Sequence, residues 1–532
     1  MSARRRSFPG HSNSEIQYDG SWHAFDTDMA GLLFRKDGTV AGYDDIIRDP
    51  TLVDSVKAPL PHYPFAWPSD FEVMKKGWQT VAAGGKWYSL YNGGYASHPG
   101  IVHLRSGETF TRWYDRDHYG GSAKRRFWHH QTGGPQRNWT FFDNGQPRHD
   151  GANSNARGNV TYCNGEFIYS PNLATGRFRE GVIAESGEVA FRTESPKLYS
   201  KSGEPCSVTF RHFSPYVICG DPVDDANPMS APATDGVVLE LQSVGEIGIE
   251  LSADEGLTWR AVKTATTKKV DLTEFVKGRY GWQIRLSWSG NAGIDSFKTT
   301  TVTQVCQSIY PRLKPGGTNV KYRAGRRGVV AVLPDFSLPE SEVSAFEAVS
   351  MRSENVAFRG RTEKSRRAYE TTNNKPGTVV FAVHSPSRLT EVRAAFRYQL
   401  RVPPPENPDY RLEVSTDGGN SWKTFAKADI PSDNEFSSGW LAGRVRLAGN
   451  SRKALIRFHM YAGGHRTGLI DARLYGIYDV PSAQPVTVEY GWLENGELKR
   501  HTEHVPQESR LREFTIDTGA VIRDQFVRFT AE

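Results

Sequence analysis

Downstream of about residue 180, short runs of β-branched and aromatic residues recur between Gly, Pro, Asp and Asn. Gly236-Val237-Val238-Leu239-Glu240-Leu241, Ile247-Gly248-Ile249-Glu250-Leu251, Val379-Val380-Phe381-Ala382-Val383 and Ala394-Ala395-Phe396-Arg397-Tyr398 are of this kind. Helical periodicity over a long stretch is absent, so the pattern predicts β-sandwiches. Val486 to Trp492 and Leu511 to Ile516 predict terminal strands, either closing the last sandwich or making a small extra unit. Upstream, Lys86 to Leu90 and Ile101 to Leu104 read as strands. Asp44-Asp45-Ile46-Ile47 and Thr51-Leu52-Val53-Asp54 read as short turns of helix, and Pro59, Pro61, Pro64 and Pro68 stop any long one. Glu15 to Phe25 reads as two strands joined at Asp19-Gly20, a pair suited to the positive φ of a tight hairpin turn.

The sandwich region repeats itself. Ile249-Glu250-Leu251-Ser252-Ala253-Asp254-Glu255-Gly256-Leu257-Thr258-Trp259 matches Leu412-Glu413-Val414-Ser415-Thr416-Asp417-Gly418-Gly419-Asn420-Ser421-Trp422. Each is S-x-D-x-G-x-x-W and resembles the Asp-box hairpin: Asp accepts local backbone N–H bonds, Gly takes the positive-φ position, and Trp packs under the loop. Each is followed by a second shared piece, Gln283-Ile284-Arg285-Leu286 with Gly293-Ile294-Asp295, and Leu455-Ile456-Arg457-Phe458 with Gly468-Leu469-Ile470-Asp471. A sialidase-type propeller would need several boxes at blade spacing, so these two are read as fold elements. The expected organisation is mainly β: a hairpin segment and connector over 1–75, an aromatic and His-rich β-region over 76–180, related sandwiches over 181–335 and 336–484, and terminal strands over 485–532.

Composition narrows the function. In 532 residues, 37% are hydrophobic and 24% charged, which excludes collagen, coiled coil and wholesale disorder. No apolar run approaches the roughly 18 residues of a membrane span. A net charge of +6 over so long a chain is too dilute for nucleic acid, whose phosphates need clustered cations. Four Cys exclude a disulfide-built scaffold. Cys206 and Cys219 are placed to pair across neighbouring strands, with Cys163 and Cys306 as buried thiols. No signal peptide is read, because no apolar stretch follows Met1-Ser2-Ala3-Arg4-Arg5-Arg6. The domain types nevertheless point outside the cytoplasm, to an extracellular or periplasmic location. No cofactor is implied.

Gly10-His11-x-x-x-Glu15-Ile16-x-x-Asp19-Gly20-x-Trp22-x-x-Phe25-Asp26 resembles the His/Asp half of the transglutaminase-like superfamily. The resemblance implies His11 as the base and Asp26 as the carboxylate that orients it toward a Cys nucleophile. Asn13 stands where that family has an aromatic. The family's Cys lies on a helix upstream of the His, whereas the first Cys here is Cys163.

The segment from Trp78 to His149 holds six of the chain's 15 His and five of its 13 Trp. Flat aromatic faces stack on sugar rings, while Arg and His bind hydroxyls or carboxylates. Trp113, Tyr114, Arg126, Trp128 and Arg148 are the candidate substrate-binding residues. For β-elimination on a uronate, His129, His130, Arg157 and Tyr162 are the candidate catalytic residues, a cation neutralising the carboxylate and a His or Tyr removing the proton. A metal site drawn from Asp115, Asp117, His118, His129 and His130 lacks any recognised ligand spacing, and no metal is expected. The leading reading is a protein that binds or degrades a polysaccharide through this region. Against it stand a transglutaminase-like acyl-transfer or peptidase protein whose nucleophile is not in this chain, and a non-catalytic scaffold of extracellular β-domains.

Overall fold

A computed structural model describes residues 3–8, 11–25, 32–55, 78–79, 81, 86–91, 101–114, 142–143, 146–147, 164–222, 233–253, 256, 258–262, 269–277, 279–305, 312–322, 325–332, 353–359, 368–400, 406–430, 438–480, 485–506 and 511–532. The fold is mainly β, as the sequence predicts.

At the N-terminal end, β1 (Ala3–Phe8), β2 (His11–Tyr18) and β3 (Ser21–Phe25) form an antiparallel meander, with β4 (Lys86–Tyr91) on the free edge of β1. The β2–β3 turn has positive φ at both Asp19 (48°) and Gly20 (75°), the geometry that Asp-Gly favours in a two-residue hairpin loop. Leu33, Tyr43, Ile46, Val53 and Trp78 close a small core beside it. The expected helical turns are present as α1 (Tyr43–Arg48) and a 3-10 turn at Pro50–Ser55.

Next in chain order come β5 (Glu108–Trp113), β6 (Gly165–Tyr169) and β7 (Val182–Ser186). Among the strands that follow, seven build the first sandwich: β8 (Cys206–Phe213), β9 (Val237–Val244), β10 (Gly248–Ser252), β11 (Arg260–Ala261), β12 (Lys269–Asp271), β13 (Gly281–Trp288) and β14 (Gly293–Gln304). After β15 (Arg327–Val332), a second seven run as β16 (Gly377–His384), β17 (Leu389–Gln399), β18 (Asp409–Ser415), β19 (Lys423–Lys427), β20 (Ser438–Arg446), β21 (Lys453–Tyr461) and β22 (Gly468–Asp479).

The two sets pair identically. In the first, β8 and β10 flank β13, β11 edges β10, and β9 lies between β12 and β14. In the second, β16 and β18 flank β21, β19 edges β18, and β17 lies between β20 and β22. Each set makes two sheets whose inward residues form one core. Val208, Phe210, Leu239, Ile249, Ile284 and Phe297 meet in the first, and Phe381, Phe396, Leu412, Ile456, Phe458 and Leu474 in the second. The motif repeat read in the sequence is therefore a repeat of the whole sandwich.

The last strands, β23 (Val486–Glu494), β24 (Glu497–Val505) and β25 (Ile522–Ala531), extend the first sandwich rather than the second. One sheet runs β14–β6–β5–β25–β23–β24. It crosses the expected boundaries at 180 and 484, because an unpaired edge on β5 would expose a row of backbone donors and acceptors that β25 satisfies. Ile101 to Leu104, read as a strand, carries no strand. Cys219 is disulfide-bonded while Cys206 is a free buried thiol, so these two do not pair with each other.

Candidate functional site

Alternation along β5 sends Thr109, Thr111 and Trp113 to one face of this sheet, and Phe110, Arg112 and then Tyr114 to the other. Cross-strand register extends the first row. Trp113 stands opposite Phe526, Phe526 opposite Gly491 and Gly491 opposite Arg500. The adjoining row runs Thr111, Arg528, Glu489 and Thr502. Directly opposed residues share a face, so the ladder assembles two aromatics, two guanidinium groups and a carboxylate from three separate stretches of sequence.

Glu489 holds the two cations together. Its Oε1 accepts from Arg500 Nη1 at 2.5 Å and its Oε2 from Arg528 Nη1 at 3.1 Å. Arg528 Nε also donates to Thr111 Oγ1 at 3.2 Å. The Phe526 ring meets Trp113 edge-on at 5.3 Å between centroids, with the Arg528 and Arg500 guanidinium carbons 4.8 and 5.5 Å from its centroid. Gly491 permits this arrangement: a Cβ there would lie 2.4 Å from a Phe526 ring carbon. The side chains of Arg500 and Arg528 are 51% and 31% exposed, so their charge faces solvent while Phe526 is covered.

The opposite face is core. Phe110 stacks on Phe167 at 4.4 Å and on Tyr216 at 5.5 Å, with Phe529 and Val527 beside them. Tyr114, expected to bind substrate alongside Trp113, belongs to this core and is 8% exposed. Burial pushes its hydroxyl well above the usual tyrosine range. Two consecutive residues on an extended strand cannot touch the same ligand, and Tyr114 is on the closed side.

A second polar cluster lies inside the molecule where the aromatic segment meets the first sandwich. Arg105 Nε and Nη2 donate to the two Glu108 oxygens at 2.8 and 2.7 Å, and the Arg105 backbone N–H donates to Oε2 at 3.0 Å. Arg105 Nη1 donates to the Arg211 carbonyl, and the guanidinium lies 3.7 Å over the Tyr169 ring. His212 Nδ1 is 3.8 Å from Glu108 Oε1 and its ring stacks on Trp282. Burial alone would raise the Glu108 carboxyl, but Arg105 and His212 outweigh it and hold it far below the usual carboxylate range. Burial lowers His212 despite Glu108, so this imidazole is neutral at pH 7. A bidentate pair closed off from water leaves no room for a reacting group, and the cluster serves as an anchor.

Of the other sequence-derived candidates, Arg126, Trp128, His129, His130, Arg148, Arg157, Tyr162 and Asp26 lie outside the described residues. The backbone of His11 opens β2. Among the described residues, no group of three or more His, Cys, Asp or Glu is placed to hold a metal ion, and no helix is long and apolar enough to cross a membrane. Sequence reasoning missed Phe526, Arg528, Glu489 and Arg500. Their one signal was the alternation Val527-Arg528-Phe529-Thr530, apolar on one face and polar on the other; Arg500-His501-Thr502-Glu503-His504 is polar on both.

No family model matches the chain, and no curated protein matches it. Among solved structures, a CBM35 from Cellvibrio japonicus is similar to 31% of this chain over 98% of its own length, at 11% identity and a TM-score of 0.18. The C-terminal CBM6 of a laminarinase from Zobellia galactanivorans is similar over 30% of this chain and 98% of its own, at 9% identity and a TM-score of 0.17. The ANXUR1 extracellular domain from Arabidopsis thaliana is similar over 54% and 87%, at 8% identity and a TM-score of 0.18. At TM-scores of this size none of these likenesses decides a fold or a function here.

Proposed function

We propose that this protein binds a polysaccharide on the polar face of the sheet that carries Trp113. One observation carries the reading: Trp113 and Phe526 sit beside the Arg528–Glu489–Arg500 ion-pair row on the same face. Sugars present apolar C–H faces and hydroxyl groups that both donate and accept. The half-buried Trp113 ring, backed by the covered Phe526 and flanked by fixed donors and a fixed acceptor, complements both features. The ion pairs also hold the cations in place before binding, which lowers the ordering cost of association. A disulfide at Cys219 fits an oxidising compartment, where extracellular polysaccharide is met.

The test is binding to a panel of neutral and uronate-containing polysaccharides, with wild type compared against Trp113→Ala and Arg528→Gln. Loss of an aromatic contact and of a charged hydrogen bond each predicts roughly tenfold weaker binding or more. Unchanged retention by both variants, with melting curves confirming that they are folded, overturns the proposal. Ultraviolet absorbance after incubation with uronate polymers separates cleavage by elimination from binding alone.

A further inference from the structure

Each sandwich carries the same surface arrangement at its Asp-box turn. On β10 and β13, Glu250 stands opposite Arg285, and on β18 and β21, Glu413 stands opposite Arg457. Arg285 lies 3.7 Å over the Trp259 ring and Arg457 lies 4.1 Å over Trp422. In both turns a serine hydroxyl accepts the glycine N–H at 2.8 Å, Ser252 from Gly256 and Ser415 from Gly419.

The same sheet face differs between copies almost everywhere else. Gln283 corresponds to Leu455, Ser287 to His459, Thr209 to Val380 and Gly248 to Arg411. The charged pair is kept against this background, but its surroundings differ: the Glu250 side chain is 38% exposed, whereas that of Glu413 is 8% exposed and also accepts from Thr424 Oγ1 at 3.4 Å. At Glu250 the pair is an exposed one, which contributes only about 0–1 kcal/mol to stability. Its stereochemistry points elsewhere. Stacking on the indole fixes the plane of each guanidinium. Glu250 takes only Nη1 of Arg285, and Glu413 takes only Nε of Arg457, so the remaining donors make no other hydrogen bond among the described residues. Arg285 and Arg457 are 34% and 27% exposed. At Arg285 and Glu250 a planar donor and an open carboxylate thus lie side by side, matching adjacent sugar hydroxyls about 3 Å apart, one accepting from Arg and the next donating to Glu. The neighbouring carboxylate disfavours an anionic ligand and favours a neutral diol.

We propose that Glu250/Trp259/Arg285 is a site for a neutral sugar unit with vicinal hydroxyls, and that Glu413/Trp422/Arg457 is its closed counterpart. This rests on the polysaccharide reading and extends it from one surface to two, so a polymer gains affinity over a short oligosaccharide by multivalency.

The test is isothermal titration of the full chain with a neutral oligosaccharide and with the parent polymer. Arg285→Lys and Arg457→Lys keep the charge and lose the planar fork; Glu250→Gln provides a second, milder variant. The sandwich site predicts that Arg285→Lys removes one oligosaccharide equivalent and that Arg457→Lys removes none. Arg285→Lys should weaken polymer binding roughly tenfold or more, and Trp113→Ala should remove a different equivalent. Unchanged stoichiometry in Arg285→Lys, with Trp113→Ala impaired, overturns the sandwich site and leaves the central-sheet reading standing. The reverse pattern overturns the central-sheet reading alone. A wild-type chain that binds no neutral glycan overturns the sandwich site, and one that binds no uronate polymer either overturns both.

Discussion

His212 Nδ1 lies 3.8 Å from Glu108 Oε1, and both side chains are 2% exposed. The carboxylate is ionised and paired to Arg105, while the imidazole is held neutral by burial and by Arg105 and Arg211 nearby. Both folded groups bind protons less readily than their unfolded counterparts, so stability rises with pH. As pH falls, the unfolded state gains a proton first at histidine, below its ordinary value of 6.5, and then at the carboxylate, below 4.5. Wild-type stability is expected to decline from about pH 6.5 and more steeply below 4.5, measured by urea unfolding at a series of pH values. His212→Gln should flatten the upper part of that slope. A His212→Gln profile with the same slope as wild type between pH 7 and 5 would contradict a neutral buried imidazole.

The same cluster predicts an asymmetry between breaking and replacing the pair. Glu108→Ala strands the Arg105 guanidinium inside the protein, at a cost of about 3–5 kcal/mol. Arg105→Met combined with Glu108→Leu removes both charges and should cost much less. Chemical denaturation of the two variants decides this, and equal losses would show that the pair is not buried in solution.

Much of the architecture is legible in the sequence because its signals are local. The Ser-x-Asp-x-Gly turn is set by bonds within a few residues, such as Asp417 Oδ1 accepting from the backbone of Asn420 and Ser421 at 3.0 Å. Strand pairing across hundreds of residues leaves no such local mark, which is why the union of β5 with β25 was not readable. Arg105 and Glu108 look like an ordinary surface pair three residues apart, and only the fold buries them. Ile101 and His103 have the composition of a strand, yet they pack at the junction with the second sandwich, against the Val329 cluster and the Tyr478 ring. Trp113 was recognisable as an aromatic in a polar setting, but the choice between its face and that of Tyr114 depended on which side of β5 became core.

Asp524 stands opposite Trp492 next to a β-bulge between Gly491 and Trp492, and it accepts the Leu313 N–H at 3.2 Å. Burial raises its carboxyl to about 6 against that hydrogen bond and Arg312. A folded-state value above the unfolded one of 3.8 means that its contribution is favourable at low pH and is lost as pH rises through 6. Asp524→Asn keeps an oxygen acceptor and removes the ionisation. Its melting temperature should exceed that of wild type above pH 6 and approach it near pH 4. A variant less stable than wild type at pH 8 would show that the aspartate is stabilised as an anion.

Gly491 and Gly496 separate a packing role from a turn role on the same hairpin. Gly496 has φ of 83° and open space around its missing Cβ, so Gly496→Ala incurs only backbone strain, about 1 kcal/mol. At Gly491 the added methyl would meet the Phe526 ring at 2.4 Å, and the ring is hemmed by Trp113, Arg500 and Arg528. Overpacking of this kind costs about 1–3 kcal/mol. Relief requires the ring to move, which displaces the cations over it and loosens their hold on Glu489. Both variants should therefore lose stability, while Gly491→Ala alone should weaken polysaccharide binding. Thermal melts paired with affinity electrophoresis distinguish the two, and equal binding by both variants would mean that Phe526 does not position the ion-pair row.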